Sequence, residues 1–82
     1  MKYYLLAVSS LTNANRGQKA LYEAGVAGVV VKTPTYLSPK GCSNSIKING
    51  SRFLTANNAL SKAGLTIVKV FGSNDDIRYS EV

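Results

Sequence analysis

The chain has 82 residues, enough for one domain with a modest core and too few for a large core around a deep substrate cavity. Hydrophobic residues make up 45% and aromatics 9%, so folding rather than disorder is expected. Lys and Arg outnumber Asp and Glu by 10 to 4, and three of those four acids (Asp75, Asp76, Glu81) lie in the last ten residues, which leaves the body more basic than the net +6.

Such a body suits anionic partners, whether nucleic acid, phosphorylated ligands or an acidic protein face, and it also serves plain solubility. The single cysteine, Cys42, has no internal disulfide partner. That argues against a secreted, disulfide-stapled scaffold and for a reducing cytoplasm.

Tyr3 to Val8 is a short, nearly continuous apolar run. It is shorter than the usual core of a signal peptide, so it reads as a first strand. Ser9, Ser10 and Thr12 then offer oxygens for capping a helix over about residues 12–24. Its apolar face carries Ala14, Leu21 and Ala24, with small Gly17 and Ala20, and Gly25 stops it. Val26 to Thr33 is rich in branched residues and predicts a second strand closed by Pro34.

A Pro-bounded loop carries the chain past Cys42 to Ser45-Ile46-Lys47-Ile48, whose alternation marks a third strand with one buried face. Asn49-Gly50 ends it, and Ser51 is placed to cap a second helix burying Phe53, Ala56, Leu60 and Ala63, with Gly64 past its end. Leu65 to Phe71 predicts a fourth strand. No stretch reaches membrane-spanning length.

The order β-α-β-β-α-β predicts an α+β, ferredoxin-like fold: a four-stranded antiparallel sheet, strands one and three in the middle, and two helices on one face. Residues 1–72 form this single domain, and residues 73–82 read as a polar C-terminal tail. Strands one and two run the same way, so the start of the first helix and the Cys42 loop share one end of the domain.

Cys42 is the strongest nucleophile available, and it acts as one only when ionised. Lys40, Arg16, the start of the first helix and the backbone around Gly41 each favour a thiolate, while Ser9, Ser10, Thr12 and Ser43 add hydrogen-bond donors. The competing reading is a half-buried structural cysteine. With no His in the chain, Cys-His and Ser-His catalysis are excluded. One Cys and no His make no zinc site of the usual kind, and there is no Cys-x-x-Cys for a dithiol cycle. A lone reactive thiol can still carry a persulfide sulfur, a selenium atom or a mixed disulfide.

Lys2-Tyr3-Tyr4-Leu5-Leu6-Ala7-Val8-Ser9-Ser10, the pair Thr33-Pro34, and above all Leu37-Ser38-x-x-Gly41-Cys42-Ser43 followed by Ser45-Ile46-Lys47-Ile48, resemble the selenium/sulfur carrier protein-like domain family. Its members are small, mostly bacterial domains. The resemblance covers nearly the whole chain. It implies that Cys42 is the carrier thiol, that the serines after strand one share its site, and that protein partners donate and accept the chalcogen. The chain itself would have no turnover and no cofactor. Many members have Arg after the Thr-Pro pair, where this chain has Thr35, so Lys40 or Arg16 would take that role here.

Two other readings use the sheet face away from the helices. With Ile46 and Ile48 inward, Lys47, Lys32 and Lys69 are expected on that open face beside Tyr4, a basic and aromatic surface of the kind that binds single-stranded RNA. Strand three lacks the aromatics that base stacking needs. Strands one, two and four are also apolar on both faces, and a sheet-face homodimer would cover that surface.

Overall fold

In the computed structural model, which describes residues 1–38 and 44–82, the chain runs β1 (Tyr3–Val8), α1 (Leu11–Glu23), β2 (Val29–Lys32), β3 (Asn44–Asn49), α2 (Phe53–Lys62), β4 (Lys69–Ser73) and β5 (Ser80–Glu81). One 3-10 turn, Gly50–Arg52, leads into α2.

The helices stop by the same device. Gly25 (φ 79°) and Gly64 (φ 76°) turn the chain into left-handed backbone, where an added Cβ would be strained. The N–H of Gly25 reaches the C=O of Tyr22 at 3.0 Å, and that of Val26 reaches Leu21 at 2.8 Å. Gly64 and Leu65 repeat the pattern on Ser61 and Leu60, at 3.0 Å each. In both cases the residue after the glycine packs with the helix residue whose carbonyl it caps, all four side chains lying in one buried cluster.

Helix starts differ from one another. Ser10 caps α1, its Oγ accepting the N–H of Asn13 at 3.1 Å. Ahead of α2 it is Asn49, rather than Ser51, that caps: its Oδ1 accepts from the Ser51 N–H at 3.0 Å and from the Ser51 hydroxyl at 2.9 Å.

The sheet order is β2-β3-β1-β4-β5, with every neighbouring pair antiparallel. β1 and β3 are central among the first four strands, as expected. Both helices lie on one face, where Ala14 and Leu21 of α1 and Ala56 and Leu60 of α2 bury against Leu6, Val8, Ile46 and Ile48. Gly17 lets α1 sit close to the sheet, since a Cβ there would lie 2.6 Å from Cδ1 of Ile46.

Three expectations are corrected. The sheet has five strands among the described residues, not four. Residues 73–82 are not simply a tail: Ser73 closes β4, β5 pairs Phe71 with Glu81 and Gly72 with Ser80, and Tyr79 is buried. The last strand of the βαββαβ series is also shorter than expected. Leu65 packs into the core and the Val68 N–H bonds the C=O of Ala7 at 2.8 Å, but ladder pairing begins only at Lys69.

Candidate functional site

Strand parity decides which side chains share a face. Leu6 stands opposite Ile46 and Val70, and Tyr4 opposite Ile48 and Gly72, so Tyr4 faces the helices with them. Its ring meets that of Phe53 with centroids 4.5 Å apart. Lys32 follows Val30 on this same side, because Val30 pairs with Ile46 and Lys32 with Asn44. The expected grouping of Tyr4 and Lys32 with Lys47 and Lys69 on the far face is therefore incorrect. That face carries Tyr3, Leu5 and Ala7 of β1, Ser45 and Lys47 of β3, Val31 of β2, and Lys69 and Phe71 of β4.

The far face is covered by the chain itself. Tyr79 packs with Leu5, Ala7 and Phe71 in a second buried cluster, flanked by Tyr3, Val31 and Leu37. Leu5, Ala7 and Phe71 retain 3%, 4% and 3% of their exposure, so the apolar surface that suggested a sheet-face dimer is occupied within one chain.

Hydrogen bonds hold the cover in place. The Tyr79 hydroxyl donates to Oδ1 of Asp76, the Tyr79 N–H donates to the Tyr36 hydroxyl at 2.9 Å, and Nζ of Lys47 meets Oδ2 of Asp76 at 2.9 Å. Lys69 pairs with Glu81 at 3.5 Å. Ser73 and Asp75 close the intervening turn: Oδ1 of Asp75 accepts the N–H groups of Ile77 and Arg78 at 2.9 and 3.1 Å and the Ser73 hydroxyl at 2.9 Å.

These contacts set the titration of the segment. The N–H groups of Ile77 and Arg78, then the Ser73 hydroxyl, lower the Asp75 carboxyl from 3.8 to about 2. The Tyr79 hydroxyl and then Lys47 lower that of Asp76. Burial and then the Asp76 carboxylate raise the Tyr79 phenol. Both acids are depressed on folding, so their contribution is present above the ordinary carboxylate value and is lost as pH falls through their folded values. Acidification from pH 4 toward 2 is expected to loosen residues 73–82 before the rest of the sheet. Amide hydrogen exchange of Tyr79 checks this, and protection at Tyr79 that does not fall relative to β1 over that range would contradict it.

At the end of the sheet where β2 leaves and β3 returns, Asn44 stands opposite both Lys32 and Val8. Ser9 and the Ser10 cap follow Val8 directly, so the ends of the β2–β3 connection and the start of α1 lie together. Oγ of Ser9 accepts from Nδ2 of Asn13 at 2.8 Å, and the first turn of α1 carries no acidic side chain. Arg16 is exposed, about 9 Å along the helix axis from the cap at 1.5 Å per residue. No ion pair engages it among the described residues. Lys40, Gly41, Cys42 and Ser43, the centre of the expected site, lie outside the described residues.

The base of this connection is fixed by a buried pair, Thr33 Oγ1 and Ser45 Oγ, 2.5 Å apart and 4% and 0% exposed. Ser45→Ala removes that partner from the buried Thr33 hydroxyl and is expected to cost about 1–3 kcal/mol. Adding Thr33→Val should recover part of the loss. Urea unfolding of Ser45→Ala, Thr33→Val and the double variant checks this, and an additive double variant would contradict it.

Sequence reasoning missed Tyr79, Asp75, Asp76 and Tyr36. A signal existed: β1 is apolar on both faces, which requires a cover on each, and Tyr79 is the one aromatic residue in the stretch after Gly72. The fold and its chemistry define a small α+β domain, with two helices on one side of an antiparallel sheet and its single thiol in the β2–β3 connection. A family model described as putative Se/S carrier protein-like matches residues 3–71, from the start of β1 into β4 and across the segment holding Cys42. The chain belongs to that family. No curated protein and no solved structure matches it. Among the described residues no helix is long and apolar enough to cross a membrane.

Proposed function

We propose that this is a non-catalytic carrier domain, ferredoxin-like in its first four strands, which takes sulfur or selenium onto Cys42 from one protein and hands it to another in the reducing cytoplasm. The observation that carries this reading is membership of the carrier-like family over a span that includes Cys42. In the loading step the Cys42 thiolate attacks the terminal sulfur of a donor persulfide, R–S–SH. The new S–S bond forms as the donor's S–S bond breaks, and the donor leaves as a thiolate. Unloading repeats the step with an acceptor thiolate as the attacking group. One sulfane sulfur moves each time, and no external oxidant or reductant is needed. A perselenide moves selenium in the same way.

The start of α1 supports the reading, because the positive end of the helix dipole and the lack of acidic side chains in its first turn favour an anion near the ends of the β2–β3 connection. Lys40, Gly41 and Ser43 would act on the thiol from within the connection, with Ser9 and Ser10 beside it and Arg16 in support from farther along α1. The test is the rate of iodoacetamide alkylation of Cys42 in the folded chain against pH. A midpoint clearly below the free-cysteine value of about 8.5 is expected. A midpoint at or above that value, or an unreactive thiol, would remove the carrier reading. Binding of single-stranded RNA is not favoured as a second reading, because β3 brings Ser45, Lys47 and Asn49 to the far face and no aromatic ring to stack a base.

A further inference from the structure

Residues 73–82 behave toward the far face of the sheet as a ligand toward a site. They place an aromatic ring among Leu5, Ala7 and Phe71 and bring a carboxylate to each of the two lysines on that face. They also add a two-residue strand to the outer edge of β4. The family match stops at residue 71, just before this segment begins.

The surface and its cover are unequal in build. Beneath lie central strands whose side chains are buried and whose ladders are long. The cover has one buried ring, Tyr79, two ladder pairs, the hydrogen bonds from the Tyr79 and Val82 N–H groups, and two ion pairs, whose side chains keep 33% and 35% exposure in one and 52% and 60% in the other. Part-exposed ion pairs add little, and a two-residue exposed strand on the sheet edge stands at the low end of local opening free energies.

We propose that this face is a docking surface for an acidic, aromatic-bearing segment of a partner protein, which adds to β4 as a strand in place of Ser80–Glu81. Charge complementarity fixes the chemistry of the occupant. Lys47 and Lys69 call for carboxylates, the Leu5–Ala7–Phe71 surface takes a planar ring, and the Tyr36 hydroxyl accepts a backbone N–H from the bound segment. Strand addition to a sheet edge supplies affinity through the backbone and specificity through alternate side chains. The chain's own C-terminal segment is the resident competitor, so a partner binds with an affinity reduced by the fraction of molecules in which the face is open. The proposal stands independently of any chemistry at Cys42.

The probe is a fluorescein-labelled peptide with the sequence of residues 73–82, titrated into the 82-residue chain and followed by anisotropy. Binding to the unaltered chain should be weak, because the tethered copy competes at an effective concentration on the order of millimolar. The Tyr79→Ala chain, whose own segment is loosened, should bind at least about tenfold more tightly. Adding Lys47→Glu to that chain should abolish binding. Equal affinity for the two chains, indifference to Lys47→Glu, or binding to neither would overturn the proposal.

If Tyr79→Ala does not fold, native-state hydrogen exchange of the unaltered chain decides the matter. The Val82 N–H, which donates to the Val70 carbonyl at 3.0 Å, and the Tyr79 N–H should then exchange by local opening, well ahead of Leu6 and Ile46. A single common rate would show that the face never opens short of unfolding and would overturn the proposal.

Discussion

Cys42→Ser is expected to abolish chalcogen loading completely while leaving the thermal melt and far-ultraviolet circular dichroism close to those of the unaltered chain. A serine hydroxyl is nearly isosteric with the thiol, but it stays protonated near neutral pH and forms no persulfide. The carrier reading and the structural-cysteine reading therefore separate on one variant. A carrier thiol gives total loss of function at little cost in stability, whereas a buried structural cysteine gives the reverse. Intact mass after exposure to a persulfide donor reads the first quantity and the melt reads the second. A sharply lowered melt would move Cys42 into the core.

Leu6→Ala is the substitution expected to cost most in stability. Leu6 is fully buried in the central strand, opposite Ile46 on one side and Val70 on the other, and it packs in the cluster beneath both helices. Neighbours on β3 and β4 are held by their ladders and can collapse only partly into the cavity. A loss of about 2–5 kcal/mol is expected, a large share of the roughly 5–15 kcal/mol that holds a domain of this kind together. The melting temperature should fall by about 10 °C or more. A drop of only a few degrees would show that the helix-side cluster is less tightly packed than the described positions imply.

The order of elements was legible in the sequence because each signal had a local cause. Gly25 and Gly64 mark helix ends through backbone that other residues resist, Ser10 offers an N-cap, and the Ile46–Ile48 alternation shows a strand with one buried face. Sidedness was less legible. A strand's alternation says which residues share a face but not which face that is relative to a neighbour, and a one-residue change of register inverts the answer. Tyr4 and Lys32 were misplaced for this reason: the Tyr4–Ile48 and Lys32–Asn44 pairings put them on the helix side.

The C-terminal segment was hidden for a different reason. Asn74, Asp75, Asp76 and Arg78 give it the composition of a solvated tail, yet those acids act as acceptors for turn N–H groups and for Lys47 and Tyr79. Polar composition predicts exposure only when the polar groups have no partners within the fold. Of the candidate site, Ser9 and Ser10 do lie at the end of the sheet where the β2–β3 connection begins and ends.

The most direct test of the carrier reading follows the sulfur itself. The folded chain is incubated with a small-molecule persulfide donor, its intact mass is recorded, and the loaded chain is then presented with an excess acceptor thiol. The predicted result is a gain of one sulfur atom, mapped by proteolysis to the peptide containing Cys42, followed by return to the starting mass as the acceptor takes up the sulfur. A chain whose mass does not change on exposure to the donor, or one that holds the added sulfur against the acceptor, would contradict the account.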